Sequence, residues 1–262
     1  MPPILTTQLP PCETIPLPPY YTPFAQQLIL AKAEMNPKQV AAVKAVEYIR
    51  DGMVVGLGTG STAEFAIKAL GDRVAQGLKV QTIATSDESE RLARELSIEV
   101  VTLEDEPVVD LTIDGADEVD PNLDLIKGLG GALLREKIVA TASTREIIIV
   151  DSSKKVQKLG TKSPLPIEVI PFAWPLVHRE LMEGGLRSKL RTAKDGQETY
   201  ETDNGNLILD CSFPDGIADP PQMESRINRM AGVIENGLFV SLATIVIVGN
   251  EDGTCEILER SS

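Results

Sequence analysis

DLTIDGADEVDPNLDLIKGLGGALLREK, residues 110–137, brings clustered carboxylates, a lysine in a glycine run and a glutamate on a helical stretch into one short segment. Asp114 and Asp117 stand in DGADE, Lys127 opens KGLGG, and Glu136 lies in LLREK. The chain has one histidine, His178, so acid–base chemistry has to come from carboxylates and lysines such as these. Asp114 follows directly on the apolar run VVDLTI, which places it at the end of a buried strand instead of on an acidic surface turn. Lys127 and Glu136 are individually ordinary, a loop lysine and a helix glutamate able to form surface pairs. Their shared segment is the unusual part.

A second group of residues fits an anion. GLGTGST, Gly56 to Thr62, is a strand running into a glycine loop and a helix. It is not a dinucleotide fingerprint, because Ser61 stands where the last glycine is needed, nor a P-loop, which requires Gly-Lys-Ser/Thr. The backbone N–H groups around Gly60 and the hydroxyls of Thr59, Ser61 and Thr62 would face an anion at a helix N-terminus. Lys38 lies in the first turn of another helix, where a cation opposes the macrodipole unless an anion binds nearby. Lys154 follows DSS at the end of the strand REIIIVDSS. DGADEVDPNLD has the acids of a calcium loop, but its glycine is at the second position and a strand precedes it.

Composition narrows the partners. A net charge of −14 repels nucleic acid and anionic membranes, so an anionic ligand must be met by a local cluster of lysines. Cys12, Cys211 and Cys255 are far apart with no C-x-x-C pair, which suggests neither a disulfide framework nor a zinc site and fits a reducing cytoplasm. His178 stands far from the glycine-rich motifs and is expected to be a surface or helix-packing residue. No metal site and no cofactor are expected. Residues 1–35 are proline-rich, lack the features of a signal or transit peptide, and are expected to form a poorly ordered tail. No stretch reaches the apolar length of a membrane span.

Asn36 followed by Pro37 predicts a helix start, with Val40, Val43, Val46 and Ile49 at helical spacing up to Gly52. Strands at MVVGL, KVQTIAT, IEVVTL, VVDLTID and REIIIVD alternate with helices near 63–76, 86–96 and in GGALLREKIVATAS. This predicts an open, mostly parallel Rossmann-like α/β sheet with helices on both faces. The loops GTGST, DGADE and DSSK then meet at the carboxyl edge of that sheet, where such folds bind ligands. After Gly160 the texture changes: SPLPIEVIPF, a helix near 174–183, a hairpin signal at Asn204-Gly205, a helix in PPQMESRINRMAG, and long buried strands in GLFVSLATIVIVGN. The expected division is a catalytic domain of 36–160 and 238–262 with a smaller inserted α+β domain, 161–237.

GLGTGSTA, TSDESERLA, TIDGADEVD, IKGLGGALLREKI, VDSSK, LPIEVIPF and TDNGN, in this order, resemble the A type of ribose-5-phosphate isomerase from about Asn36 onward. The resemblance implies interconversion of D-ribose 5-phosphate and D-ribulose 5-phosphate through an enediolate, without a metal. It implies a sugar-phosphate site made of Thr59, Gly60, Ser61, Thr62, Asp114, Gly115, Ala116, Asp117, Lys127, Gly128, Leu129, Gly130, Glu136 and Lys154, with Lys38 as a phosphate contact. It also suggests a homodimer, and the existence of plastid forms leaves that compartment open beside the cytoplasm.

Moving a proton between C1 and C2 of an aldose needs an ionised base, a partner for the oxyanion and a group that shuttles hydroxyl protons. Within the resemblance Glu136 is the base, Lys127 with the glycine N–H groups the oxyanion partner, and Asp114, joined by Asp117, the ring-opening acid/base. A cation near Glu136 is expected to keep it charged at neutral pH. Leu129 departs from the family's glycine run. It is tolerated if only its backbone N–H is used, and costs about 1 kcal/mol or more if positive φ is required. The alternative function is a non-catalytic sugar-phosphate-sensing module on the same fold. Such sensors need a DNA-reading module, and this chain has no basic helix-turn-helix.

Overall fold

The computed structural model describes residues 35–193 and 195–260. The expected proline-rich tail, Met35 apart, and Cys12 lie outside the described residues. Asn36 caps the first helix, α1 (Pro37–Val46), its side chain accepting the Lys38 N–H at 3.0 Å, as a polar residue before proline predicts. The helix ends well before Gly52, and Val43 is 49% exposed instead of inward. Its inward face is Val40, Ala41, Ala42, Ala45 and Val46. Of the expected set Val40, Val46 and Ile49 are buried, and three alanines, which carry little apolar signal but let α1 lie close on the sheet, complete the face in place of Val43.

The chain then alternates as expected: β1 (Val54–Leu57), α2 (Ser61–Ala75), β2 (Gln81–Ala84), α3 (Asp87–Glu95), β3 (Glu99–Val100) and β4 (Leu111–Gly115). Two short strands, β5 (Glu118–Val119) and β6 (Leu125–Ile126), precede α4 (Leu133–Ala142) and β7 (Glu146–Asp151), which enters a 3₁₀ turn at Ser152–Lys154. Next come β8 (Leu165–Val169), α5 (Trp174–Glu183), β9 (Arg187–Leu190), β10 (Leu207–Ser212), α6 (Pro220–Asn228) and β11 (Val233–Asn236). The chain closes with β12 (Leu238–Phe239), β13 (Ile245–Gly249) and β14 (Cys255–Glu259).

The main sheet has the order β14-β13-β7-β4-β1-β2-β3, parallel throughout except for β14 against β13. Successive residues of β7 divide between its faces, as a pleated strand requires. Ile147 and Ile149 pack with Leu57 and Ile113 beneath α1 and α2, while Ile148 and Val150 pack with Ala140 of α4, Leu125 and Phe239 on the other side. Burial on both faces explains the unbroken apolar runs IIIV and IVIV. A second sheet, β11-β8-β10-β9, is antiparallel, and its core includes Ile167, Leu209, Val177, Leu181 and Ile227. GLFVSLATIVIVGN is divided, not continuous. β12 joins a three-stranded sheet with β6 and β5, Ser241 turns with φ 58°, and β13 returns to the main sheet beside β7.

The start of α1 rests on the end of β13. A Cβ on Gly249 would lie 1.9 Å from the Pro37 carbonyl oxygen and 3.0 Å from the Ala41 nitrogen, so only glycine fits. Gly249→Ala should therefore push backbone against backbone and lower the unfolding free energy by about 1–3 kcal/mol, the range for overpacking. Urea denaturation measures this, and an unchanged midpoint would show that α1 does not lean on β13.

Candidate active site

β7, β4 and β1 are neighbours and run parallel, so their carboxyl ends deliver DSSK, DGADE and GTGST to one edge of the sheet. Asp114, next to last in β4, is fully buried. Its Oδ1 accepts the N–H groups of Thr59 at 3.0 Å and Gly115 at 2.7 Å, and its Oδ2 is 2.9 Å from the Lys127 Nζ. This approach dictates Gly58, whose Cβ would stand 2.1 Å from Asp114 Oδ1.

Lys127 is 2% exposed. Its Nζ donates to the Gly115 carbonyl at 2.6 Å and lies 2.9 Å from Asp114 and 3.3 Å from Glu136 Oε1, above the Phe239 ring. One ammonium proton is thus committed to a carbonyl, and the two carboxylates are ion-pair partners. Glu136 sits in the first turn of α4, buried, and its Oε2 has no partner among the described residues. Asp117 Oδ2 accepts the Leu129 N–H at 3.0 Å, which joins DGADE to the glycine run. The positive φ values fall on Gly128 and Gly131, not on residue 129, and the Leu129 side chain is exposed. Only its backbone is used, so the leucine is accommodated without strain.

Burial by itself lowers the Lys127 pKa, but Asp114 and Glu136 more than reverse this, and the ammonium is held charged. For Glu136 burial wins: it pushes the carboxyl up to about 8 against the pull of Lys127. The cation expected beside Glu136 is there and pulls its carboxyl down, but burial outweighs that pull. Burial also raises Asp117, against the Leu129 N–H and nearby cations. Glu146, which the sequence reading passed over, opens β7 with both carboxylate oxygens unpartnered among the described residues. Burial, then the charge of Asp114, drives its pKa well above the ordinary carboxylate range. An acid set directly against the apolar run IIIV was its sequence signal.

The anion end lies across the cavity. α2 has Gly60 as its N-cap with no side-chain cap, leaving first-turn N–H groups open. Lys38 Nζ donates to Ser61 Oγ at 2.9 Å, and Lys154 stands on the 3₁₀ turn after β7. Thr59 differs from expectation: its hydroxyl turns away to Thr85 at 2.7 Å and Ser86 at 2.8 Å, and its N–H is held by Asp114. It braces the loop.

A cavity of about 100 Å³ is lined by Lys38, Thr59, Gly60, Ser61, Thr62, Gly115, Ala116, Asp117, Lys127, Gly128, Gly130, Glu136 and Lys154. Of the residues predicted from sequence, only Asp114, behind Lys127, and Leu129, facing outward, do not line it. A larger hollow of about 780 Å³ beside β14 contains none of GTGST, DGADE or DSSK. His178 is a packing residue, its Nδ1 2.7 Å from Ser188 Oγ. The sequence reading also missed Arg191, Tyr200 and Asp210. Arg191 donates to the carbonyls of Gly128 and Leu129, Tyr200 to that of Gly130, and Asp210 pairs with Arg191.

Fold and site together define an α/β protein that holds a small phosphorylated molecule at the strand ends, beside a buried carboxylate–ammonium cluster. Residues 81–253 match the family model described as ribose 5-phosphate isomerase A (phosphoriboisomerase A). The chain is 54% identical to ribose-5-phosphate isomerase A of Gloeobacter violaceus, over 86% of this chain and 96% of that one, and 49% identical to that of Bacillus mycoides, over 85% and 99%. Among solved structures it is similar to ribose 5-phosphate isomerase A of Methanocaldococcus jannaschii, with TM-score 0.81, 43% identity, and 85% and 97% of the two chains covered. It is also similar to a D-ribose-5-phosphate isomerase in complex with phospho-erythronic acid, with TM-score 0.82, 44% identity, and 86% and 100% covered. The chain belongs to the ribose-5-phosphate isomerase A family.

The electrostatics can be checked directly. In a carbon-13 titration of the side-chain carboxyls, Glu136 should titrate near 8, above the ordinary carboxylate range. Lys127→Met removes the group that pulls it down and leaves Asp114 beside it, so the Glu136 pKa should rise further. A fall would mean that Lys127 does not set the proton affinity of Glu136.

Proposed function

We propose that the protein interconverts D-ribose 5-phosphate and D-ribulose 5-phosphate through an enediolate, with Glu136 as the base. The observation that carries these roles is the layout of one cavity: Glu136 and Lys127 are 3.3 Å apart at one side, and Lys38, Lys154 and the uncapped α2 N-terminus stand at the other. The phosphate sits at the second group, where cations and helix N–H groups fix its position. Ionised Glu136 takes the proton from C2 of the aldose, the C–H electron pair forms the C1–C2 double bond, and negative charge moves to O1. Lys127 and the N–H groups of the glycine run stabilise that oxygen. The O2 hydroxyl proton passes to O1, the charge left on O2 collapses to the C2 carbonyl, and Glu136 returns its proton to C1.

Asp117 lines the cavity, whereas Asp114 lies behind Lys127. The ring-opening and hydroxyl-proton shuttle therefore falls on Asp117, and Asp114 acts through Lys127. We assign 36–160 with 238–262 to the catalytic unit and 161–237 to the smaller one, a division supported by their separate sheets. A homodimer in the cytoplasm completes the proposal; the compartment is supported by the free thiols of Cys211 and Cys255. Among the described residues no helix is long and apolar enough to cross a membrane.

Glu136→Gln keeps the shape of the side chain but removes the basic pair, so ribose 5-phosphate should still bind while turnover falls by about 10²–10⁴-fold. Exchange of the C2 proton with deuterated water should disappear in parallel. Near-normal turnover and exchange would assign the base elsewhere; tight binding without turnover in the unaltered protein would favour the sugar-phosphate sensor. Lys38→Ala or Lys154→Ala should chiefly raise KM for ribose 5-phosphate. Unphosphorylated ribose accepted with equal efficiency would remove the phosphate assignment.

A further inference from the structure

The glycine run that faces the substrate is held from behind by the smaller unit. Arg191, just after β9, donates from one Nη to the carbonyls of both Gly128 and Leu129, each at 3.0 Å. Its guanidinium is fixed in turn by a fork onto both carboxylate oxygens of Asp210 in β10, and it lies against the Tyr200 ring. The Tyr200 hydroxyl donates to the Gly130 carbonyl at 3.2 Å and stands so close that a Cβ on Gly131 would fall 1.9 Å from it. Three consecutive carbonyls are therefore drawn to one side.

In a planar trans peptide the carbonyl of one residue and the N–H of the next point in opposite directions. Drawing the Gly128 carbonyl toward Arg191 turns the Leu129 N–H the other way, where it meets Asp117 Oδ2 at 3.0 Å. Drawing the Leu129 carbonyl turns the Gly130 N–H the other way as well. Gly130 lines the cavity, and its N–H has no partner among the described residues. Two glycines at positive φ, Gly128 and Gly131, flank these peptides, so the loop has other conformations open to it unless something outside it selects one.

We infer that Arg191, locked by Asp210, is a positioning residue for the isomerisation: it orients the Leu129 and Gly130 peptides so that one N–H holds Asp117 and the other faces the developing oxyanion. This rests on the proposed function of the loop. A donor oriented in advance stabilises charge in the transition state more than it aids ground-state binding, and the phosphate is gripped elsewhere. Loss of Arg191 should therefore appear in kcat and not in KM.

The test compares Arg191→Ala, Arg191→Lys and Asp210→Asn in the full chain. Arg191→Ala should lower kcat by about 10–100-fold, the scale for misplacing or losing one such donor. KM for ribose 5-phosphate and inhibition by inorganic phosphate should stay within about twofold. Affinity for phospho-erythronic acid, which carries a carboxylate at the reacting end, should fall with kcat. Arg191→Lys should not restore the rate, because a point ammonium cannot hold two carbonyls and a carboxylate fork together. Asp210→Asn, the milder change, should give a smaller fall with the same split. Amide hydrogen exchange should quicken at residues 128–131 and stay unchanged in β4 and β7.

A kcat within twofold of the parent, full rescue by Arg191→Lys, or a loss of phosphate affinity matching the loss of kcat would overturn the inference. So would slowed turnover with unchanged exchange in the loop. Glu136→Gln run alongside separates the two levels. If it retains turnover, the assignment of the base fails, while the exchange data still decide whether Arg191 orders the loop.

Discussion

An ammonium shut away from water organises this site. Removing Lys127 from solvent would cost several kcal/mol without compensation, and the surroundings answer that cost at three points: the Gly115 carbonyl, Asp114 and Glu136. Each answer constrains something else. Asp114 has to end β4 and be held by two backbone N–H groups, which excludes a side chain at residue 58. Glu136 has to enter from the first turn of α4, so the glycine run must end where that helix begins. Phe239 underlies the ammonium from β12, which accounts for the small third sheet between the main sheet and the second unit.

The same enclosure gives Glu136 an affinity for protons that an exposed glutamate lacks. Lys127 pulls that affinity down from 3.3 Å, but burial outweighs it, and the charges of Asp114 and Asp117 act in the same direction as burial. Burial, which looks like a cost to folding, thereby raises the proton affinity of Glu136. Glu146 fits the same pattern: burial, then the charge of Asp114, pushes its pKa up, against the pull of Lys127.

Local features of this architecture were legible in the sequence. The strand-end loops could be placed because each follows an apolar run directly, and strand alternation fixes where such runs end. The cap at Asn36 and the serine cap of α3, where Ser86 accepts the Ser89 N–H, depend on neighbours within a few positions. What depends on three-dimensional approach was not legible. Three alanines complete the inward face of α1, and their smallness matters only against the sheet. The Thr59 hydroxyl could be assigned to an anion until Thr85 and Ser86 were seen beside it. Arg191 and Tyr200 lie about 60 to 70 residues beyond the loop they hold, in stretches that carry no motif. Glu136 and Lys127 could be named as partners, but whether the pair would be ionised depended on the extent of burial.

The distant contacts also show why the second unit is more than a covering. α4 carries Arg135, Glu136 and Lys137 in succession, and both cations reach across to the 161–237 segment. Arg135 meets Asn204 at 2.9 Å and the Asp203 carbonyl at 3.1 Å, while Lys137 meets Glu235 at 2.8 Å and the Asn236 carbonyl at 2.7 Å. Glu136 therefore stands between two anchors that end on the same unit as Arg191 and Tyr200. On its other side it is tied through Lys127 to Asp114 of β4, and the next turn of α4 packs on the main sheet through Val139 and Ala140, so both units fix its place.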